Sequence, residues 1–287
     1  MDYIESLETN GYAIIPDILC DNDIDYLTTL FKDWYNSIDN IDYLHNKINP
    51  HYIFKYHQVG HQRFAWYIRT HPNVRKVFER IWNTTELVVS YDGACYMNPK
   101  NLTPNPNSVW THTDQCPKNK DFICVQGFVS LTDNKHNTLL VYEKSHKLFE
   151  QYYKNKNLQN STKDWNLIDT KFLNSIKDSK IILNVPKGSM VIWDSRLFHQ
   201  NVCTSYEERI IQYVSMLPKD NILNTISTQH KRIKYFKELR TTNHWCYPIK
   251  VNSLQPNTYG DNELFIDYSE LTPPDLTDLL DDINKLI

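Results

Sequence analysis

Apolar residues recur at two different periods along this chain, and the switch between them divides it. Up to about residue 85 the spacing is helical. Ile24, Leu27, Leu30, Phe31 and Trp34 share one face of a segment over about 22–37, with Asp21 or Asn22 as its cap. Val74, Val77, Phe78 and Ile81 predict a second helix over 72–83, with Pro72 at its first position. Residues 3–9 read as a short amphipathic helix, and Gly11 to Pro16 as a strand closed by proline. From Glu86 the runs become short and β-rich. Residues 86–96 are a strand pair, or one long strand bent near Gly93. Further strands follow over 109–114, 122–131, 138–142, 181–185, 190–193 and 209–217, with Pro186-Lys187-Gly188 turning the chain between two of them.

The connections carry less pattern. Residues 98–107 hold three prolines and read as a loop, and 145–180 is a polar insertion, helical in pieces. After 218 come a basic helix over about 229–240 and a final helix with Leu276, Leu279, Leu280, Ile283 and Leu286 on one face. The stretch 39–63 is polar and aromatic with no clean period, so His45, His51, His57 and His61 are expected at the surface or at a pocket rim. Several short strands without regular helices between them predict an antiparallel sandwich or barrel rather than a doubly wound sheet. The reading is one domain over 1–287: helical support (1–85), a β core (86–217) and a C-terminal helical and loop extension (218–287).

Composition narrows the function classes. The 287 residues are 40% hydrophobic and 23% charged, an ordinary balance for a globular chain with a sizeable core. A net charge of −3 gives no basic field to recruit nucleic acid, and Lys231 to Arg240 fits a solvated helix face better than a nucleic-acid patch. Six glycines and no GxGxxG or Walker sequence disfavour a phosphate loop. The six cysteines lack CxxC spacing, which argues against structural zinc. There is no leader pattern and no run approaching the ~18 apolar residues of a membrane span. The expectation is a cytoplasmic protein with reduced thiols and no membrane or nucleic-acid partner.

Candidate chemistry centres on Trp110-Thr111-His112-Thr113-Asp114-Gln115. On an extended strand, residues i and i+2 face the same way, so His112 and Asp114 aim at one point. A second histidine, His199, follows the apolar strand 190–193 and a polar turn, and ten residues later Arg209 opens a strand whose face it shares with Ile211 and Tyr213. Two histidines and one carboxylate make the facial set of non-haem Fe(II) oxygenases, which leaves three coordination positions open. An arginine nearby suits a bidentate grip on the distal carboxylate of a 2-oxo acid.

At these residues the chain resembles the phytanoyl-CoA dioxygenase (PhyH) family of Fe(II)/2-oxoglutarate oxygenases. The resemblance is carried, in order, by Gly11 to Pro16, Asp92-Gly93, Trp110 to Gln115, Val125 to Asp133, Leu139 to Lys147 and Lys187 to His199. It implies a mainly β fold with flanking helices: a double-stranded β-helix, that is, a cupin-like jelly roll. It implies that His112, Asp114 and His199 bind Fe(II), that Arg209 binds the C5 carboxylate of 2-oxoglutarate, and that Gln126 and Asn201 are polar co-substrate contacts. The implied reaction consumes O2 and 2-oxoglutarate, with ascorbate as an accessory, and hydroxylates a small-molecule or acyl substrate. The chain departs from the family where Pro-Gly before Ser-His is replaced by Glu143-Lys144, and where Asn-Gly is replaced by Asn137-Thr138. Two other classes fit the scaffold: a cupin-like metal-dependent isomerase or epimerase, which would not need Arg209, and a non-catalytic jelly-roll binding protein. His146 is expected to hold a turn, Asp194 and Arg196 to form a structural pair, and Cys116 and Cys203 to have no metal role. Arg240 to Trp245, with His244 and Trp245 in particular, is expected to line the substrate mouth.

Overall fold

The computed structural model describes residues 2–287. In chain order the first six strands are Tyr12–Ile15 (β1), Ile53–Phe54 (β2), Leu87–Val89 (β3), Ala94–Met97 (β4), His112–Thr113 (β5) and Val125–Ser130 (β6). Asn137–Tyr142 (β7), Asn166–Leu167 (β8), Lys180–Ile182 (β9), Met190–Asp194 (β10), His199–Cys203 (β11) and Arg209–Pro218 (β12) follow. The larger sheet runs β1-β10-β6-β12-β4-β2, with β3 also on β12; the smaller runs β8-β5-β11-β7-β9. The pairings within both sheets are antiparallel.

The central strands of the larger sheet are buried on both faces, which is why they read as continuous apolar runs. Their side chains alternate between two compartments. Val125, Val129, Met190, Ile192, Ile210 and Val214 pack outward against Leu27, Phe31, Phe64, Val74 and Phe78 of the N-terminal helices. Phe128, Val191, Trp193 and Ile211 pack inward with Leu139 and Val141 of the smaller sheet. Each such burial contributes roughly 1.5–3 kcal/mol relative to exposure, so this two-sided sheet is the main store of stability. At Gly127 the β6–β10 approach is close enough that a Cβ would lie 2.9 Å from the Val191 carbonyl oxygen.

Several expectations need correction. The stretch 39–63 is not unpatterned loop: it holds the helix Ile41–Ile48 and the strand β2, and a further helix, Arg63–Thr70, follows. His45, His57 and His61 are buried rather than superficial; His45 stacks on Phe54 at 4.0 Å and hydrogen-bonds the Tyr96 carbonyl at 2.7 Å. Of these four histidines only His51 is exposed. The helix Asp21–Asn36 is capped by Cys20, whose N–H donates to Asp23 Oδ2, so Asp21 is already inside the helix. The last helix is confined to Leu280–Leu286, and Leu280 is exposed. No helix among the described residues is long and apolar enough to cross a membrane.

Candidate metal centre and cleft

β5 and β11 are neighbours in the smaller sheet, and their register places His112 directly opposite His199. The strand β5 ends at Thr113, so the i, i+2 argument for Asp114 holds only in outcome: Asp114 lies in the following turn. That turn is fixed from several sides. The Asp114 N–H donates to the Ser195 carbonyl at 3.0 Å, Ser195 Oγ donates to Gln115 Oε1 at 2.6 Å, and Thr113 Oγ1 meets the Tyr153 hydroxyl at 2.6 Å. His199 was expected after a polar turn; it opens a strand, and the turn Ser195–Phe198 that delivers it is held by Asp194. The Asp194 carboxylate accepts from Arg196 Nε at 3.0 Å and Nη2 at 2.6 Å, the structural pair expected.

The tautomers follow from the hydrogen bonds. His112 Nδ1 donates to the Trp110 carbonyl at 3.1 Å, and His199 Nδ1 donates to the Leu197 carbonyl at 2.9 Å. Both Nε2 atoms therefore turn toward Asp114 Oδ2, at 3.6 Å and 3.2 Å. One ligand atom from each of the three residues lies within 4.8 Å of the others, so the set can hold a metal ion. Burial opposes ionisation of Asp114, but the charge of His112 and hydrogen bonds donated by both imidazoles outweigh it and hold the carboxyl well below the usual range; a metal ion between them would take the place of those protons. Burial, together with neighbouring His112, pushes His199 below its ordinary value, which keeps it a neutral donor. Two lone pairs and a carboxylate converging with no cation among them is an arrangement that a divalent metal completes.

Arg209 is fully buried at the start of β12. Its Nη1 donates to Cys95 Sγ at 3.7 Å and the guanidinium lies 5.3 Å from the Phe128 ring centre, but Nε and Nη2 have no partner among the described residues. A buried guanidinium keeps its charge and is costly without an anion, so the orphaned N–H groups fit a carboxylate ligand. The other two polar candidates differ. Gln126 Nε2 donates to Asp114 Oδ2 at 3.0 Å, which makes it a neighbour of the metal set. Asn201 Nδ2 donates to the Tyr213 hydroxyl at 2.9 Å, leaving its Oδ1 buried and unpartnered.

His112, Asp114, His199, Gln126 and Asn201 line a cleft of about 500 Å³, ample for a small molecule; Arg209 is buried outside its lining, on the strand that also supplies the lining residue Tyr213. The aromatic walls of the cleft are Phe54, Trp110, Trp165 and Trp193, with the Trp110 and Trp165 rings 5.0 Å and 5.5 Å from His112. His51 stacks on Trp110 at 3.7 Å, the rim position expected for it. His244 lines the cleft as expected. Trp245 does not: it is buried beside Val88, Leu217 and Tyr247. Lys55, Asp92, Trp165 and Tyr213 also line the cleft, and sequence reasoning gave none of them a site role. Trp165 arrives there because β8 pairs with β5, a strand hidden inside the polar insertion. His146 ties its turn to the N-terminal helix through the Glu8 carbonyl at 3.1 Å, and Lys144 takes a left-handed φ of 63°.

No family model matches the chain. It is 28% identical over 179 residues to "Ava biosynthesis cluster protein O" of Aspergillus versicolor, covering 57% of each chain. It is 26% identical over 200 residues to a protein of Dictyostelium discoideum named "Putative phytanoyl-CoA dioxygenase", covering 57% of this chain and 56% of that one. The match thus spans little more than half the length of these relatives. Among solved structures, GlcNAc Inducible Gene 2 protein of Candida albicans superposes with a TM-score of 0.67 at 14% identity, over 98% of this chain and 73% of that one. EctD of S. alaskensis, solved with 2-oxoglutarate and 5-hydroxyectoine, gives 0.54 at 13% identity over 76% of each chain. The epimerase SnoN, in complex with Fe3+, alpha ketoglutarate and nogalamycin RO, gives 0.51 at 12% over 75% and 82%. At such identities these structures speak for the fold. In sequence the chain resembles the phytanoyl-CoA dioxygenases to which its motifs pointed, and in fold it resembles 2-oxoglutarate-binding proteins.

Proposed function

We propose that the chain is an Fe(II)/2-oxoglutarate-dependent dioxygenase that hydroxylates a small molecule, on a double-stranded β-helix. The strand order supports the fold reading: from β4 onward, successive core strands fall mainly to alternate sheets, with β6 and β12 adjacent in one and β7 and β11 adjacent in the other. The observation that carries the function is the pairing of a His-Asp-His set with a fully buried arginine that lacks an internal anion.

In this reading His112, Asp114 and His199 hold Fe(II), and Arg209 takes the distal carboxylate of 2-oxoglutarate. The chemistry supplied there converts 2-oxoglutarate, O2 and R–H into succinate, CO2 and R–OH. The chain's own work is positional. The backbone carbonyls of Trp110 and Leu197 keep both histidines in the metal-binding tautomer. Gln126 orients the Asp114 carboxylate by donating to it. The aromatic walls limit water around the reacting carbon.

Asp114→Ala should lose succinate release from 2-oxoglutarate by at least ~100-fold while retaining the wild-type circular dichroism spectrum; an undiminished rate would end the assignment. The neighbour named an epimerase is solved with alpha ketoglutarate, so Arg209 does not by itself exclude an epimerase outcome as the sequence argument assumed. Product mass separates the two: hydroxylation adds one oxygen atom and epimerisation adds none.

A further inference from the structure

Outside the metal set, two polar atoms of cleft-lining residues, one on Asp92 and one on His244, have no hydrogen-bond partner among the described residues. Asp92 is 6% exposed and lines the cleft, and its Oδ1 has no hydrogen-bond partner among the described residues. His244 lines the same cleft, and its buried Nε2 is also without a partner. An unmet buried acceptor costs about 1–3 kcal/mol, so two such atoms on residues that line one cavity call for a ligand.

Neither group is loosely held. The Asp92 carbonyl accepts from Arg69 Nη2 at 2.7 Å and from Gln212 Nε2 at 3.2 Å. The backbone beside it is clamped: a Cβ on Gly93 would stand 1.8 Å from the Phe54 carbonyl oxygen. His244 comes from a distant segment joined to the same place. The Thr242 N–H donates to the Tyr91 carbonyl at 2.9 Å, and the Tyr91 N–H donates to Thr242 Oγ1 at 2.9 Å. Asn243 N–H donates to the Lys250 carbonyl at 3.0 Å. The cleft thus presents a carboxylate oxygen and an imidazole nitrogen at preset positions.

We infer that Asp92, with His244 beside it, anchors an ammonium group, so that the substrate class is amines whose apolar body lies along Trp110 and Trp165. An ammonium offers three N–H donors; Asp92 Oδ1 takes one, and His244 Nε2, as an acceptor, takes another. A hydroxyl brings a single donor and leaves one acceptor unmet. A carboxylate would face both Asp92 and Asp114. Arg69 offsets part of the Asp92 charge, but its two terminal nitrogens donate to the Gly60 and Asp92 carbonyls rather than to the carboxylate. Burial raises the Asp92 carboxyl, and a bound cation would reverse that cost. Lys55, another cleft residue, interacts with Asp114 and is absent among the main influences on Asp92. This inference rests on the oxygenase reading, since it names the substrate class of the same cleft.

The test uses the full chain loaded with Ni(II) and 2-oxoglutarate, and three probes of one size: 2-phenylethylamine, 2-phenylethanol and 3-phenylpropionate. Calorimetric titration should show the amine binding at least ~10-fold tighter than the alcohol, with the acid weakest. Asp92→Asn should abolish that preference, and His244→Ala should reduce it. Should Asp92→Asn fail to fold, the ranking of the three probes on the wild type decides. An amine that binds no tighter than the alcohol, absence of binding included, overturns the inference, and so does an Asp92→Asn protein that keeps the preference. Binding of 2-oxoglutarate to the Ni(II) protein is measured first. Its failure would count against the oxygenase reading, whereas its success with no amine preference would count against this inference alone.

Discussion

Arg69 and Arg209 are both fully buried, yet the chain treats them in opposite ways. Arg69, on the helix Arg63–Thr70, donates to the Gly60 carbonyl at 2.5 Å and the Asp92 carbonyl at 2.7 Å. Arg232 is handled similarly, by Asn224 Oδ1 at 3.0 Å and the Cys246 carbonyl at 2.6 Å. All three leave Nε unpartnered among the described residues, but of the three Arg209 leaves Nη2 so as well and has a thiol as its hydrogen-bond acceptor. The first two arginines join backbone segments that no strand pairing connects. The third makes no such link between backbone carbonyls. Burial alone therefore does not single out Arg209; what does is burial with two nitrogens that have no acceptor among the described residues.

The largest expected effect tests that contrast directly. Arg209→Met should weaken 2-oxoglutarate binding to the Ni(II) protein by at least ~100-fold. It should leave unfolding in urea unchanged or shifted upward by ~1 kcal/mol, because a buried unpaired charge is removed. Arg69→Met should do the reverse and lose roughly 1–3 kcal/mol of stability, since the Gly60 carbonyl loses its Arg69 donor and the Asp92 carbonyl keeps only its bond from Gln212. If Arg209→Met unfolds as easily as Arg69→Met and still binds the co-substrate, the two arginines are alike and the contrast fails.

Ligand linkage sharpens it next. With Ni(II) present, 2-oxoglutarate at about 100 times its Kd should stabilise the wild type by ~2.7 kcal/mol. Arg209→Met should show no such gain in the same thermal melt.

A third effect separates buried cations from buried neutral groups. Burial pushes His45 and His57 down to about 4 and His61 to about 3. The unfolded chain protonates these histidines near their ordinary value of 6.5 while the folded one does not. Stability is thus fully present above pH 6.5 and is lost as pH falls toward 4, at roughly 1–3 kcal/mol per histidine. Replacing His61 with Gln should flatten this pH dependence of the urea midpoint; an unaltered slope would show that His61 is not buried neutral. The smallest effect is expected at the exposed end of the cleft. Lys250→Ala removes an ion pair with Asp164 beside Trp165 and should change stability by less than ~1 kcal/mol.

Legibility in the sequence varied with the range of the forces involved. β6, β10 and β12 were readable because a strand buried on both faces needs consecutive apolar residues, whatever surrounds it. The helix Asp21–Asn36 was readable from its 3.6 period. The helix Ile41–Ile48 was not, because it is only about two turns long and one of its four buried residues is His45, held by the distant Tyr96 carbonyl. A histidine gives no pattern that distinguishes a core position from a rim. Trp165 and Tyr213 were visible as residues but had no site role, since their place in the cleft depends on β8 pairing with β5 and on which face of β12 turns inward.

What the sequence determined by itself is the candidate donor set and its local aim: His-x-Asp, a later histidine and a strand-opening arginine, each placed by short-range strand and turn geometry. Tertiary structure alone decided that His112 and His199 stand opposite each other, that Arg209 is left without an internal anion, and that Asp92 meets His244. Those outcomes depend on which distant strands and segments pair, and so on long-range burial and hydrogen bonding that no local pattern of residues records.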